Sequence, residues 1–310
     1  MAIVVIGSVF VDIKGYPYDE LIPTGRNSGY IEEKHGGVSR NMAEDIANVE
    51  LRPMFISTVD KSGAGLSVVE KLRRHKCNVD YVPAIEDGMG TWLAVFDNNG
   101  DVCASISKRP DLSYFNTILA EHGDEIFSQA DSVVLEFDLE RETLRRVMKL
   151  AEKYNVPVYS AVSNMTIAVQ RRDYLTRLDC FVCNLQEAGI LFFEDYEGIT
   201  PEEMQERLAA HIKAANIKRM VVTMGGDGAV YADSVTGESG YCPAIPVTVV
   251  DTTGAGDAFA AGITIGLTYG KTLGEACVIG SRLAAAVICS VENVCPRFQP
   301  NEFGIEVEAK

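Results

Sequence analysis

The 310-residue chain is short of several features, and each absence excludes a class of protein. Its four histidines are too few to complete a zinc centre. The eight cysteines, at 77, 103, 180, 183, 242, 277, 289 and 295, show no paired spacing and mostly sit inside apolar runs. They read as small core residues of a reducing compartment, and the lone CxxC at Cys180 to Cys183 has no second pair to make a metal site. No apolar run is long enough to cross a bilayer. The opening MAIVVIGS lacks a basic leader and reads as a core strand, so a cytoplasmic protein is expected, with no membrane partner. Positive charge is scarce too: 28 Lys and Arg against 44 Asp and Glu leave a formal charge of −16. Nucleic acid is therefore not an expected partner, because its backbone would be repelled over most of the surface. The P-loop string GxxxxGK[ST] is missing, and the first strand is not followed by GxGxxG, which disfavours a Rossmann-type dehydrogenase. There is no internal repeat and no low-complexity segment.

What remains is an ordinary globular composition, 47% apolar and 23% charged, long enough for one large α/β domain. Near-continuous apolar segments at Ile3 to Ile6, Met54 to Ser57, Ser132 to Leu135, Val156 to Ala161, Cys180 to Cys183 and Met220 to Thr223 read as parallel strands buried on both faces. Between them, Arg40 to Val49, Leu66 to His75, Glu140 to Tyr154 and Pro201 to Ala215 read as helices. Asp257 to Tyr269 and Leu273 to Ser290 are apolar nearly all round and predict two buried helices. This alternation implies βαβ units and a doubly wound, mostly parallel α/β sheet flanked by helices.

Two stretches do not suit a parallel core. Val11 to Glu33 mixes turn residues with Ile13, Tyr16, Tyr18 and Tyr30, and Thr91 to Ser107 alternates like a hairpin around Asn98, Asn99 and Gly100. A small separate sheet formed by two insertions, about 12–34 and 91–107 of a single 1–310 domain, accounts for both. The charged tail from Asn301 to Lys310 is expected to be mobile.

The most informative stretch is DTTGAGDAFAAG, Asp251 to Gly262, after the run Val247 to Val250. Glycines at 254 and 256 free the backbone of Cβ atoms just where a helix begins, so amides and helix dipole converge on an anion, best a phosphate. Asp257 would repel that anion unless its task is to take a proton from a hydroxyl attacking the phosphate. A bare GAGD read alone would be a tight turn with a capping aspartate. Upstream, Asp12 follows the first strand and its turn, and GGVSRN at Gly36 to Asn41 opens a helix. Gly36 and Gly37 permit close approach to a ligand, and Asn41 offers a donor and an acceptor.

Together, DTTGAGD, GGVSRN and the strand opening Ile3 to Asp12 resemble the signatures of the ribokinase-like (PfkB) carbohydrate kinases. The resemblance implies a ribokinase-like fold with a β lid, often also used for homodimer contacts, and ATP-dependent phosphorylation of a hydroxyl on a small sugar or nucleoside. It implies that Asp257 is the catalytic base and that the backbone of Gly254, Ala255, Gly256 and Asp257 is the anion hole. Asp12, Gly36, Gly37, Arg40 and Asn41 would hold the substrate. In NLQE, Asn184 to Glu187, the resemblance puts Asn184 near ATP and lets Glu187 act on Mg²⁺ through water; read alone, the pair is a helix capping box. TMGGDG, with Thr223, Gly225, Gly226 and Gly228, would line the nucleotide site, or form a β-turn before Ala229 to Tyr231. Asp251 matches a position that binds a monovalent cation, K⁺ for example, although it could equally cap its turn.

The acceptor is read from finer likenesses. Family members that phosphorylate pseudouridine carry a similar GGVxRN string, a Gly-Tyr pair like Gly15 and Tyr16, and SMGGDG close to TMGGDG; Gly237 to Pro243 also looks similar. Ribokinases have lysine and glycine where Val38 and Ser39 stand, and an asparagine in place of Phe10. The expected reaction is therefore phosphorylation of the primary hydroxyl of a ribonucleoside, pseudouridine first. A free-sugar kinase and a non-catalytic sensor are the alternatives. Phe10 and the SKRPD stretch, Ser107 to Asp111, depart from the pseudouridine pattern, and Lys108 and Arg109 read either as an anion contact or as a solvated loop.

Overall fold

The computed structural model describes residues 1–98 and 101–306. Asn99 and Gly100 of the expected hairpin, and the last four residues of the tail, lie outside the described residues. In chain order the elements are β1 (Ile3–Ile6), β2 (Phe10–Pro17), β3 (Gly29–Gly36), α1 (Val38–Asn48), β4 (Met54–Ile56), α2 (Gly63–Arg74), β5 (Asn78–Tyr81), β6 (Gly90–Phe96) and β7 (Val102–Lys108). They continue with α3 (Tyr114–Gln129), β8 (Ser132–Glu136), α4 (Arg141–Tyr154), β9 (Val158–Ala161), α5 (Met165–Ala168), β10 (Cys180–Asn184), α6 (Leu185–Phe192) and α7 (Pro201–Ala214). The last are β11 (Arg219–Thr223), β12 (Ala229–Asp233), β13 (Ser239–Cys242), α8 (Ala255–Thr268) and α9 (Leu273–Ile288).

Nine strands form the large sheet in the order β13-β12-β11-β10-β9-β8-β1-β4-β5. Only β12 and β13 run antiparallel to their neighbours. The continuous apolar runs are explained by burial on both faces. In β1, Ile3 and Val5 point to a core shared with Met42 of α1, Leu72 of α2, Phe259 of α8 and Leu283 of α9. Val4 and Ile6 point the other way, to Phe115 of α3, Leu144 of α4 and Leu208 of α7.

The second sheet has four strands in the order β3-β2-β6-β7. It is built from the two stretches set apart by their sequence pattern, with β2 pairing antiparallel to β3 and parallel to β6. Its period-2 alternation gives two different faces. Phe10, Asp12, Trp92 and Ser107 turn toward a cavity in front of the large sheet. Across the other face, Ile13, Leu93 and Ile106 stand in register, with Ile31 beside them opposite Gly15. That face is covered near its base and bare farther out, where Ile31 is 76% and Ile106 70% exposed.

The sequence reading names no helix at α3, although Phe115, Ile118, Leu119, Ile126 and Phe127 recur at helical spacing and dock it. One expectation fails. The tail is ordered through Glu306: a 3₁₀ turn spans Pro300–Phe303, Ile305 is buried, and Arg282 Nη2 lies 2.6 Å from Glu302 Oε2.

Candidate active site

The site lies where the carboxyl ends of β8 to β11 meet the start of α8, faced by the small sheet. Gly254 precedes α8 with φ of 84°, and a Cβ there would sit 2.0 Å from the Asn293 carbonyl oxygen, so no other residue fits this turn. The turn leaves the amides of Gly254, Gly256 and Asp257 without backbone partners, while the Ala255 N–H is spent on the Thr252 carbonyl at 3.2 Å. The Ala255 N–H is thus engaged within the turn, while its three neighbours are open to an anion.

Asp257 stands one turn into α8. Its Oδ2 accepts from Asn41 Nδ2 at 2.6 Å. Burial pushes its carboxyl up to about 7; the Asn41 bond and the Arg40 charge oppose this, while Glu187 and Asp12 add to it. A carboxylate titrating there is poised to accept a proton near neutral pH.

Two cavities meet at this residue. One, of about 300 Å³, is lined by Phe10, Asp12, Gly37, Asn41, Trp92 and Asp257, and further round by Ser8, Val38, Ser107, Thr253 and the group Arg109, Asp138, Ser163 and Asn164. The other, of about 130 Å³, is lined by Asn184, Glu187, Thr223, Gly256 and Asp257 with apolar residues from the ends of β9 and β10. Among the described residues, Asp257 is the one that lines both.

Asp12 is not in a loop beyond a strand end, as its position after β1 suggests, but inside β2 of the small sheet, with Gly36 backed against its carboxylate. Burial raises its pKa, and Lys14 and Arg40 counter this. Gly37, the residue before α1, has φ of 97° and brings its backbone to the cavity wall. Arg40 does not reach that wall. It is fully buried, donating to the His35 and Gly36 carbonyls and pairing with Glu44 Oε2 at 2.7 Å, so it braces the loop from behind rather than meeting a ligand.

The Asn184–Glu187 capping box forms as read: Glu187 N–H donates to Asn184 Oδ1 and Asn184 N–H to Glu187 Oε2, each at 2.8 Å. Burial raises the Glu187 pKa. Thr223 reaches the small cavity, whereas Gly225, Gly226 and Gly228 do not; they make the turn, partly 3₁₀, that joins β11 to β12. Asp251 accepts from Thr253 N–H at 2.9 Å, and although burial opposes ionisation, that bond and the charges of Lys14 and Lys34 hold its pKa below the usual value. No cluster of three His, Cys, Asp or Glu suited to a metal occurs among the described residues. Glu187, whose carboxylate lines the smaller cavity beside Gly256, fits a hard ion such as Mg²⁺ that keeps most of its waters.

Two buried carboxylates, one on the cavity wall and one behind it, carry no motif and escape sequence reading. Asp138 is buried, accepts from Ser163 N–H at 3.1 Å and pairs with Arg109 Nη2 at 3.2 Å. Glu136 clamps the β1–β2 turn to α1, accepting from Ser8 N–H at 3.2 Å, Ser8 Oγ at 2.8 Å and Ser39 N–H at 3.1 Å. Burial pushes both carboxyls up. Arg109 thus contacts the cavity, while Lys108 turns to Asp87 at the surface.

A doubly wound sheet whose glycine turn opens a helix, with a half-buried carboxylate between two cavities, defines a phosphotransferase acting on a small hydroxyl compound. Comparison with known proteins makes the assignment specific: the pfkB family carbohydrate kinase profile matches residues 2–294, and the chain belongs to that family of ATP-dependent kinases. The chain is 37% identical to the guanosine-inosine kinase of Exiguobacterium acetylicum over 94% of its own length and 95% of the relative's. It is 31% identical to the pseudouridine kinase of Escherichia coli (strain K12), covering 84% and 82%. The fold matches that of Arabidopsis thaliana ribokinase, solved with ribose and ATP, with a TM-score of 0.83 at 21% identity and 97% coverage of each chain.

Proposed function

We propose that the protein transfers the γ-phosphoryl of ATP to the 5′-hydroxyl of a ribonucleoside, with a 6-oxopurine nucleoside (guanosine or inosine) as the preferred acceptor. The observation that carries this is the shared carboxylate: a hydroxyl in the larger cavity and a phosphate at the amides of the smaller one meet only at Asp257. Asp257 takes the hydroxyl proton as that oxygen attacks phosphorus and ADP leaves, with Asn41 holding Oδ2 so that Oδ1 is free. The amides of Gly254, Gly256 and Asp257 face the charge that builds on the phosphoryl oxygens. Asp12, Gly37 and Asn41 orient the ribose, and the small sheet serves as the lid. Mg²⁺, when bound, neutralises phosphate charge, with Glu187 as its outer-shell carboxylate and Asn184 and Thr223 beside the nucleotide. Asp251 is the candidate anchor for K⁺.

The purine reading rests on the Exiguobacterium relative and on the larger cavity, whose volume is at the low end for small-molecule sites. Phe10 and Trp92 offer aromatic walls for a base, and Arg109, Asp138 and Asn164 offer donors and acceptors to its edge. Pseudouridine is the second reading, supported by GGVSRN and the Escherichia coli relative. The bare apolar face of the small sheet supports pairing of two copies through the lid.

The test is ADP release with ATP, Mg²⁺ and K⁺ against guanosine, inosine, pseudouridine, uridine, adenosine, ribose and fructose. The expected result is kcat/KM for guanosine or inosine about tenfold or more above every other acceptor. Highest kcat/KM with pseudouridine moves the assignment to the second reading, and with ribose or fructose it removes the nucleobase from recognition altogether.

A further inference from the structure

Helix α1 carries an unusual load of buried polar side chains: Arg40, Asn41, Glu44, Asp45 and Asn48 are all nearly inaccessible to solvent. Most are accounted for. Arg40 pairs with Glu44, Lys71 Nζ reaches Glu44 Oε1 at 2.9 Å, and Asn48 Nδ2 donates to the Cys295 carbonyl at 2.6 Å. Three α1 oxygens are buried without a hydrogen-bond partner among the described residues; Glu44 Oε1 still has the Lys71 ammonium beside it, which leaves two. Asn41 Oδ1 and Asp45 Oδ2 are both buried without a hydrogen-bond partner. The two residues are four apart, which stacks them on one face of the helix. Their other atoms are committed: Asn41 Nδ2 to Asp257 Oδ2, and Asp45 Oδ1 to the Cys295 N–H at 2.6 Å.

A single proton shared between two buried acceptors one helical turn apart would satisfy both. We propose that Asp45 is a positioning residue that stays a neutral carboxylic acid and donates from Oδ2 to Asn41 Oδ1, so that the Asn41 amide can present only its Nδ2 to Asp257. An amide can turn over at little cost unless its surroundings distinguish oxygen from nitrogen. With a donor behind it, Asn41 has one orientation, and the Asp257 oxygen not bonded to Asn41 is the one left for the substrate proton. Burial raises the Asp45 pKa well above the usual carboxylate range against the Cys295 amide and thiol, and the charges of Asp257 and Glu44 push the same way. The groups acting on Asp257 itself are Arg40 on α1, Glu187 on α6 and Asp12 on β2.

The inference rests on Asp257 as the base, and its test does not depend on turnover. Carboxyl ¹³C NMR of the full chain, with the Asp45 and Asp257 signals assigned by loss in Asp45→Asn and Asp257→Asn, reads both protonation states. Asp45 is expected to keep its protonated shift from pH 5 to 8, and a carboxyl already ionised at pH 5 overturns the proposal. In Asp45→Asn, which supplies a neutral donor, the Asp257 midpoint should stay in place. In Asp45→Val, where Asn41 is free to turn over, it should rise by about half a pH unit or more, because the bond from Asn41 is what lowers it. An unmoved midpoint in a folded Asp45→Val protein overturns the positioning role. Should that variant not fold, the Asp45 signal of the native chain still decides the matter. Loss of all kinase activity with these NMR results intact would instead strike the proposed reaction.

Discussion

Asp257 ionises less readily in the folded chain than in the unfolded one, since burial lifts its pKa from 3.8 to about 7. The native state therefore holds a proton that the unfolded chain has released, and the group's contribution to stability is full below pH 3.8 and lost as pH rises through about 7. Asp257→Asn removes that penalty. Its melting temperature at pH 8 should exceed that of the native chain by about 2 °C or more, while kcat falls by a factor of roughly 10² to 10⁴ and nucleoside affinity changes little. Calorimetry and steady-state rates on one preparation check both halves. The buried Arg40–Glu44 pair behaves in the opposite sense. Burial works against the Glu44 charge, but Arg40 and Lys71 outweigh it and hold the pKa below 4.5, so its contribution is present above pH 4.5 and lost as pH falls through the lowered value. Glu44→Gln strands a buried guanidinium and is expected to lower stability by about 3–5 kcal/mol, measured by denaturant unfolding at pH 7.

Among the elements, the small sheet is the one proposed to discriminate between acceptors. Trp92 in β6 faces the larger cavity, so Trp92→Ala should raise KM for a nucleoside about tenfold and leave KM for free ribose nearly unchanged. Equal effects on both would mean that the ring packs the sheet and does not touch a base. The elements that were legible in sequence are those with one dominant signal: β1, β8 and β10 as unbroken apolar runs, α6 by its Asn184 and Glu187 box, and the start of α8 by its glycines. The capping box and the glycine turn depend on neighbours within four residues, which is why they could be read. Asp138 and Glu136 depend on partners 25 to 128 residues away, and no local spacing announces them, whereas Arg109 reads in sequence only as an anion contact or a solvated loop. Where Arg40 lies was not legible either: its place in GGVSRN suggests a ligand contact, while Glu44 one turn on, with the His35 and Gly36 carbonyls, takes it into the interior.

At the scale of the molecule, a chain of formal charge −16 keeps an apolar stripe at Ile31, Leu93 and Ile106 in water, a combination that suits self-association better than a nucleic-acid surface. If two copies pair there, Ile106→Glu should shift the species seen by light scattering from about twice the chain mass to the chain mass without altering the circular dichroism spectrum. A chain mass already found for the native protein would dismiss the pairing. Among the described residues, the two cavities share only Asp257. A change to Phe10, Trp92, Arg109 or Asn164 consequently leaves every wall of the phosphate side untouched. On the proposed roles, chemistry and choice of acceptor sit on separate walls, so a few substitutions in the larger cavity should change the acceptor while Asp257 and its turn stay as they are.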